Sequence, residues 1–244
     1  MESFLRAMDC GPCPYLEDRE WLVEEFFAPS FKPGLYEDLL VSGFRRSGMT
    51  FYRNHCEGCR LCVPLRLDAQ TYVPSKTLRR LGRLNADLEI SLCPNGFRED
   101  RYLLYTAYAK ARHGGQEAGS SSRASYEAFL INSPLETTMI VDYRLPTGEL
   151  VANGYVDVLE RGFSSVYFAF DPRFGSRSIG VWSVARELEL ARTLGKRYYY
   201  LGFWVPGSPK MDYKARYRPF EYASEGEWHA VPDRAAVLQA LGAA

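Results

Sequence analysis

Three runs that read as strands, Thr137 to Leu145, Leu150 to Leu159 and Ser164 to Asp171, are joined only by Pro146-Thr-Gly148 and Glu160-Arg-Gly162. Connections that short turn each strand back on its neighbour, so the three form an antiparallel meander. Ser178 to Leu194 follows with helical character and closes on Gly195, a residue suited to a C-terminal cap. Arg197-Tyr-Tyr-Tyr-Leu-Gly-Phe-Trp204 then reads as an aromatic, buried strand. Phe220 to Ala223 and Glu227 to Val231, around Glu225-Gly226, complete a terminal hairpin.

Upstream, Asp87 to Cys93 alternates as a strand does, and Glu99 to Arg112 repeats Leu103, Leu104, Ala107 and Ala111 at helical spacing. Ser120 to Ser122 reads as a loop that can cover a site, and Arg123 to Ile131 as a second short helix. Strand, two helices, three meander strands, helix and strand is an order that resembles the acyltransferase fold of the Gcn5-related N-acetyltransferases (GNAT). The resemblance implies an α+β class and a cleft where two strands splay apart, here Ser164 to Asp171 and Tyr198 to Trp204. Acyl transfer to an amine is the reaction class that follows. The expected organisation is a small Cys-rich module over residues 1–73 and a GNAT-like domain over 74–244.

Five of the six cysteines fall in Cys10-Gly-Pro-Cys13 and Cys56-Glu-Gly-Cys59-Arg-Leu-Cys62. Two such hooks in a reducing compartment supply the four thiolates that a tetrahedral zinc or an iron-sulfur cluster requires. The preferred ligands are Cys10, Cys13, Cys59 and Cys62, with Cys56 as alternate. Such a metal would be structural, because the transfer chemistry itself needs no cofactor. Cys93 is expected to be a small buried apolar residue. The first residues mix Glu2, Arg6 and Asp9 among apolar ones, giving neither a signal-peptide core nor a membrane span, so a cytoplasmic location is expected.

Lys plus Arg equals Asp plus Glu at 30 each, so no net field draws in a polyanion. Locally, however, Lys76, Arg79, Arg80 and Arg83 form a stripe without an acid, and Ser75 before them can act as N-cap of a basic helix.

Longer segments carry a closer resemblance. Gly43-Phe-Arg-Arg-Ser-Gly48, Cys56-x-x-Cys59-x-x-Cys62-Val-Pro-x-Arg66, Ser75-Lys-x-Leu-Arg-Arg80, Asn85-Ala-Asp-Leu88, Ser165-Val-Tyr-Phe-Ala-Phe-Asp-Pro172, Tyr200-Leu-Gly-Phe-Trp204, Lys210-Met-x-Tyr-Lys214 and Tyr217-Arg-Pro219 are similar to the arginyl-tRNA protein transferase family. At this length the chain most resembles the bacterial aspartate/glutamate leucyltransferase branch. The resemblance implies transfer of leucine from Leu-tRNA to the N-terminal amine of proteins that begin with Asp or Glu, which marks them for degradation. Transfer of arginine from Arg-tRNA is the alternative. An acyl-coenzyme A N-acyltransferase is a remoter one, suggested by Arg173-Phe-Gly-Ser-Arg-Ser-Ile-Gly180 before a helix.

Roles follow from the chemistry. An aminoacyl ester is already activated, so the enzyme must position a neutral amine and stabilise an oxyanion. Asp157, between Val156 and Val158, is the candidate to orient the amine or take its proton, and Tyr167 to donate to the ester oxygen. Recognition of a substrate carboxylate calls for a held guanidinium, which Arg45, Arg46 and Arg66 can supply. The family also shows Arg-His at Arg112-His113, implying a role in the aminoacyl pocket, whereas Gly114 to Ser122 departs from the Asp-Met pattern of the bacterial branch. Lys210, Lys214 and Arg216, with Trp204 and Tyr213 as stacking surfaces, suit the tRNA acceptor end, with Lys76, Arg79, Arg80 and Arg83 on its backbone. A leucine pocket needs an apolar lining and an arginine pocket a carboxylate at its base, so the orientations of Asp142, Asp157 and Glu149 bear on the donor.

Overall fold

The computed structural model describes residues 5–113, 122–231 and 233–242. Strands β1 (Arg6–Pro12), β2 (Glu20–Phe27), β3 (Arg45–Ser47) and β4 (Thr50–Asn54) make an antiparallel sheet of order β1-β2-β4-β3, with helix α1 (Pro33–Val41) between β2 and β3. The chain then gives β5 (Val63–Asp68), α2 (Lys76–Leu84), β6 (Glu89–Pro94), α3 (Glu99–His113) and α4 (Arg123–Tyr126), which runs on into a π turn, Glu127–Ile131. The meander follows as β7 (Thr138–Arg144), β8 (Leu150–Val158) and β9 (Gly162–Phe170), then α5 (Ile179–Thr193) and β10 (Tyr198–Trp204). A 3-10 turn (Asp212–Arg216), β11 (Phe220–Ser224), β12 (Glu227–Val231) and α6 (Arg234–Ala240) end the chain. The second sheet has eight strands in the order β12-β11-β5-β10-β9-β8-β7-β6.

The expected order from β6 to β10 is present, and with it the GNAT-like arrangement. Ser75 caps α2 by accepting from Leu78 N at 3.3 Å, and Gly195 follows α5 at φ +69°. The junction expected near residue 73 does not separate the two sheets. β5, from the Cys-bearing segment, lies in the large sheet between β10 and β11, antiparallel to both. Its Leu65 and Leu67 are buried, and a strand flanked on both edges by backbone partners joins the sheet that supplies them.

Alternation along β7 sorts the helices onto two faces. Val141 and Tyr143 join the core beneath α2 and α5, with Leu78, Leu81, Trp182 and Leu188. On the opposite face Ile140 packs with Tyr105 of α3, Tyr126 and Leu130, while Asp142 is held by Arg101 of α3 at 3.0 and 3.1 Å. The small sheet and α1 close over part of the large one through Tyr36, Leu40, Phe44 and Phe51, packed with Leu135, Leu159, Tyr198 and Tyr200.

That contact is pinned by a buried ion pair. Arg46 of β3 donates from Nε to Asp157 Oδ2 at 2.7 Å and from Nη2 to Oδ1 at 2.6 Å, with side chains 1% and 0% exposed. Thr138 Oγ1 donates to Asp157 Oδ1 at 2.7 Å, and Arg46 Nη1 donates to Gly48 O at 3.2 Å. Gly48, at φ +58°, carries the turn against the π segment, and its amide donates to Phe129 O at 3.1 Å. A Cβ on Gly48 would lie 2.2 Å from Ala128 O, so no other residue fits there without moving backbone. Among the described residues no helix is long and apolar enough to cross a membrane.

Removing one partner of a buried pair strands the other charge, which costs about 3–5 kcal/mol. Asp157→Asn is therefore expected to lower unfolding free energy in urea by several kcal/mol. Arg46→Met with Asp157→Leu should cost less than the sum of the two single changes, because the double variant leaves no orphan charge.

Candidate active site

β9 and β10 run parallel but pair only through Tyr198–Gly162, Tyr199–Phe163 and Tyr200–Ser164. Beyond these residues they part, and Ser165 to Phe168 change from buried to half-buried along the freed edge of β9. On β10 the pairing with β5 shifts register between Tyr200 and Gly202, and Gly202 sits at φ +86°. This is the cleft expected between the two splaying strands.

The fork is floored by positive charge. Arg45 enters it from β3 and donates from Nη2 to Ser165 O at 2.5 Å, satisfying a carbonyl that β10 would otherwise have paired. A Cβ on Gly202 would lie 3.2 Å from Lys214 Nζ and 3.5 Å from Arg45 Nη2, so both cations converge on one glycine. Burial, and then the Arg45 charge, pull the Lys214 ammonium down to about 7. Neither cation makes an ion pair among the described residues. The phenols of Tyr36 and Tyr52 are pushed up by burial, with the Arg45 charge opposing it, and Tyr52 is the cross-strand partner of Arg45. A buried guanidinium and a half-buried ammonium with no ion-pair partner form a site for an anion.

Aromatic rings bound the other arm. Tyr167 of β9 packs with Tyr105 at 5.7 Å and Phe129 at 5.3 Å between centroids, and Phe170 with Tyr108 of α3 at 5.0 Å. Arg112, exposed at the end of α3, opposes with its charge the effect of burial on the phenols of both Tyr108 and Tyr213. The side chain of His113 lies outside the described residues, as does the covering segment expected over Gly114 to Ser122 except for Ser122 itself, which caps α4 by accepting from Ser125 N.

Other expected residues sit differently. Asp157 and Arg46 satisfy each other and face no solvent, so neither is placed to meet a substrate; Asp157 is a strand acid neutralised from the small sheet. Arg66 is also engaged: it donates to Glu221 Oε2 at 2.6 Å and lies between the rings of Tyr198 and Trp228, at 3.6 and 4.5 Å. Trp204 is fully buried with its indole N–H on Asp212 Oδ1 at 3.2 Å, so its ring offers no stacking surface. Lys76, Arg79, Arg80 and Arg83 are exposed on α2, and Lys210 and Arg216 are exposed around the 3-10 turn. Of the acids weighed for the donor pocket, Asp142 is held by Arg101 and Arg144, Asp157 by Arg46, and Glu149 by Arg173 on the surface.

Cys62 is pushed up to about 12, first by burial and then by the charges of Cys59, Cys13 and Cys56. Cys10 is exposed on β1 near Glu25, Asp9 and Cys56. Among the described residues no three of His, Cys, Asp or Glu are gathered so as to hold a metal ion. The thiols as arranged therefore do not fit a preformed zinc or iron-sulfur centre, and no chemistry is routed through one.

Sequence reasoning passed over Glu187 of α5. It is 1% exposed, accepts from Tyr199 Oη at 2.6 Å, and is pushed up to about 7 by burial. Its spacing from Val184, Leu188 and Ala191 puts it on the buried stripe of the helix, a signal present in the sequence.

Residues 11–80 match the family described as "Arginine-tRNA-protein transferase, N terminus", and residues 100–224 match its C-terminal counterpart. An aspartate/glutamate leucyltransferase of Chromohalobacter salexigens is 38% identical over 221 residues, covering 88% of each chain. One of Saccharophagus degradans is 35% identical over 229 residues, covering 93% of this chain and 96% of the relative. Similar solved structures include FemX, at 9% identity over 98% of this chain and 90% of that one, TM-score 0.49. The C-terminal domain of a lysylphosphatidylglycerol synthetase from Agrobacterium fabrum is 15% identical over 89% of this chain and 70% of that one, with the same TM-score of 0.49. With both halves matched and relatives aligned along nearly their whole length, the chain belongs to the arginyl-tRNA protein transferase family.

Proposed function

We propose that this protein moves leucine from Leu-tRNA to the N-terminal amine of proteins that begin with Asp or Glu. The observation that carries the reading is the pair of acid-free cations, buried Arg45 and half-buried Lys214, at the fork of β9 and β10. The substrate's acidic side chain supplies the missing negative charge, and in doing so holds its own α-amine at the mouth of the fork. An α-amino group has a pKa of roughly 7.7–8.0, so an appreciable fraction is already neutral for attack near neutral pH. The aromatic residues of β9 and α3 suit an apolar aminoacyl side chain, and the relatives named leucyltransferases point the same way. Exposed Lys76, Arg79, Arg80, Arg83, Lys210 and Arg216 meet tRNA phosphates, with Arg112 and Tyr213 at the mouth for the acceptor end.

The direct test incubates the protein with peptides bearing N-terminal Asp, Glu or Ala and tRNA charged with labelled Leu or Arg. Leucine is expected on the Asp and Glu peptides only. No transfer from either tRNA would overturn the reading, and arginine transfer would shift it to the alternative donor. Arg45→Met should lower kcat/KM for the Asp peptide by about 10- to 100-fold, the range for a lost hydrogen bond to a charged group, with little change for charged tRNA. The pH dependence has a fixed sign. The substrate carboxylate is ionised throughout, so affinity for the acidic peptide tracks protonated Lys214, fully present below about 7 and lost as pH rises through it. Lys214→Met should remove that dependence from the peptide dissociation constant.

A further inference from the structure

A lysine carries its charge on a flexible four-carbon stem, and a half-buried ammonium beside a guanidinium gains by swinging out to water. Lys214 is nevertheless found with Nζ 3.2 Å from where a Cβ on Gly202 would lie. Among the described residues no hydrogen bond or ion pair holds that ammonium, so its placement depends on the backbone that carries it. The 3-10 turn has little support of its own. Lys214 N to Met211 O and Tyr217 N to Lys214 O are both long, at 3.3 Å, and Met211 at the head of the turn offers no side-chain cap.

Asp212 supplies what the turn lacks. Its Oδ1 accepts the indole N–H of Trp204 at 3.2 Å, and its Oδ2 accepts from Arg234 Nη1 of α6 at 3.1 Å. Trp204 is fully buried and ends β10, the strand that carries Gly202, so its indole is a fixed point that needs an acceptor. The Arg234 guanidinium also stands 5.8 Å from the centroid of that ring. The contacts close a circuit: along β10 from Gly202 to Trp204, across the indole hydrogen bond to Asp212, along the turn to Lys214, and back to Gly202 at the ammonium. The far end of the turn is held separately, by Tyr217 Oη donating to Val181 O at 2.9 Å.

We propose that Asp212 is a positioning residue for recognition of the acidic N-terminal side chain, holding the turn on Trp204 so that Lys214 stays at the fork, with Arg234 of α6 fixing the Asp212 carboxylate. The proposal rests on the reading of Arg45 and Lys214 given above. Asp212 acts through Lys214 and does not itself meet the substrate. A released turn lets the ammonium out to solvent and leaves Arg45 alone with the substrate carboxylate. Preference for Asp and Glu over other first residues then depends in part on the C-terminal helix.

Dissociation constants of an Asp peptide and the otherwise identical Ala peptide, measured near pH 6 where Lys214 is charged, separate this role from a merely structural one. Asp212→Ala is expected to weaken binding of the Asp peptide by about 10-fold, the low end for a lost hydrogen bond to a charged group, and to leave the Ala peptide unchanged. Once Lys214→Met is present, the same change should weaken the Asp peptide no further, because residues that act through one contact are not additive. Thermal midpoints report folding. Arg234→Met keeps the indole bond and decides the matter if Asp212→Ala does not fold. It should weaken the Asp peptide by about 3-fold, the scale of a partly exposed ion pair, with Arg234→Lys restoring the wild-type value. Wild-type discrimination in the folded variants, equal weakening of both peptides, or full additivity with Lys214→Met would overturn the positioning role and leave the functional reading standing. Equal binding of the two peptides by the wild type would overturn Arg45 and Lys214 as the acid site, and the positioning role with them.

Discussion

The Arg46–Asp157 pair determines how the rest of the molecule meets. It joins a strand of the small sheet to a strand of the large one with two charge-assisted hydrogen bonds in a site closed to water, and Thr138 shares the same carboxylate. Such a pair adds little net stability over well-packed apolar residues, but its geometry admits one register. Neighbouring residues of a strand point to opposite sides, so fixing Arg46 on Asp157 also fixes where Arg45 goes. Arg45 is thereby delivered to the fork of β9 and β10, where it holds the carbonyl of Ser165.

The fork itself depends on a strand from outside the GNAT-like order. β5 supplies the second edge partner of β10, so β10 can leave β9 after three residue pairs without losing its own backbone hydrogen bonds on both sides. The bulge at Gly202 opens room that any Cβ would fill, and into that room come Arg45 and Lys214. Anion recognition and strand divergence are thus one structural feature. The desolvation that depresses the Lys214 ammonium is the same that makes a substrate carboxylate a strong partner for it.

Much of this was legible in the chain. Alternation and short turns gave β6 through β10 to within one or two residues, because local pattern and turn chemistry act over a few positions. The small sheet escaped notice: β1 and β2 are polar or half-buried, and their pairing is with each other and β4 rather than with a hydrophobic face. The arginines show why site assignment is harder than fold assignment. Arg45, Arg46 and Arg66 look equivalent in sequence, yet one carries no acid, one is neutralised by Asp157 and one by Glu221, and those partners lie 111 and 155 residues away. Trp204 misled for a related reason, its indole being taken up by Asp212 within the buried strand end. Glu187 had a signal in its helical spacing that its charge obscured.

The central claim is that the acidic side chain of the substrate binds the Arg45–Lys214 pair at the fork. Its most direct test is the proton uptake on binding, from calorimetric titration at pH 7.5 in buffers of different ionisation enthalpy. Because Lys214 sits near 7 in the free protein, a bound carboxylate should recharge it. The Asp peptide should take up a substantial fraction of a proton more than the otherwise identical Ala peptide, whose α-amine behaves alike. Equal proton uptake for the two peptides, with the Asp peptide bound the more tightly, would contradict the account.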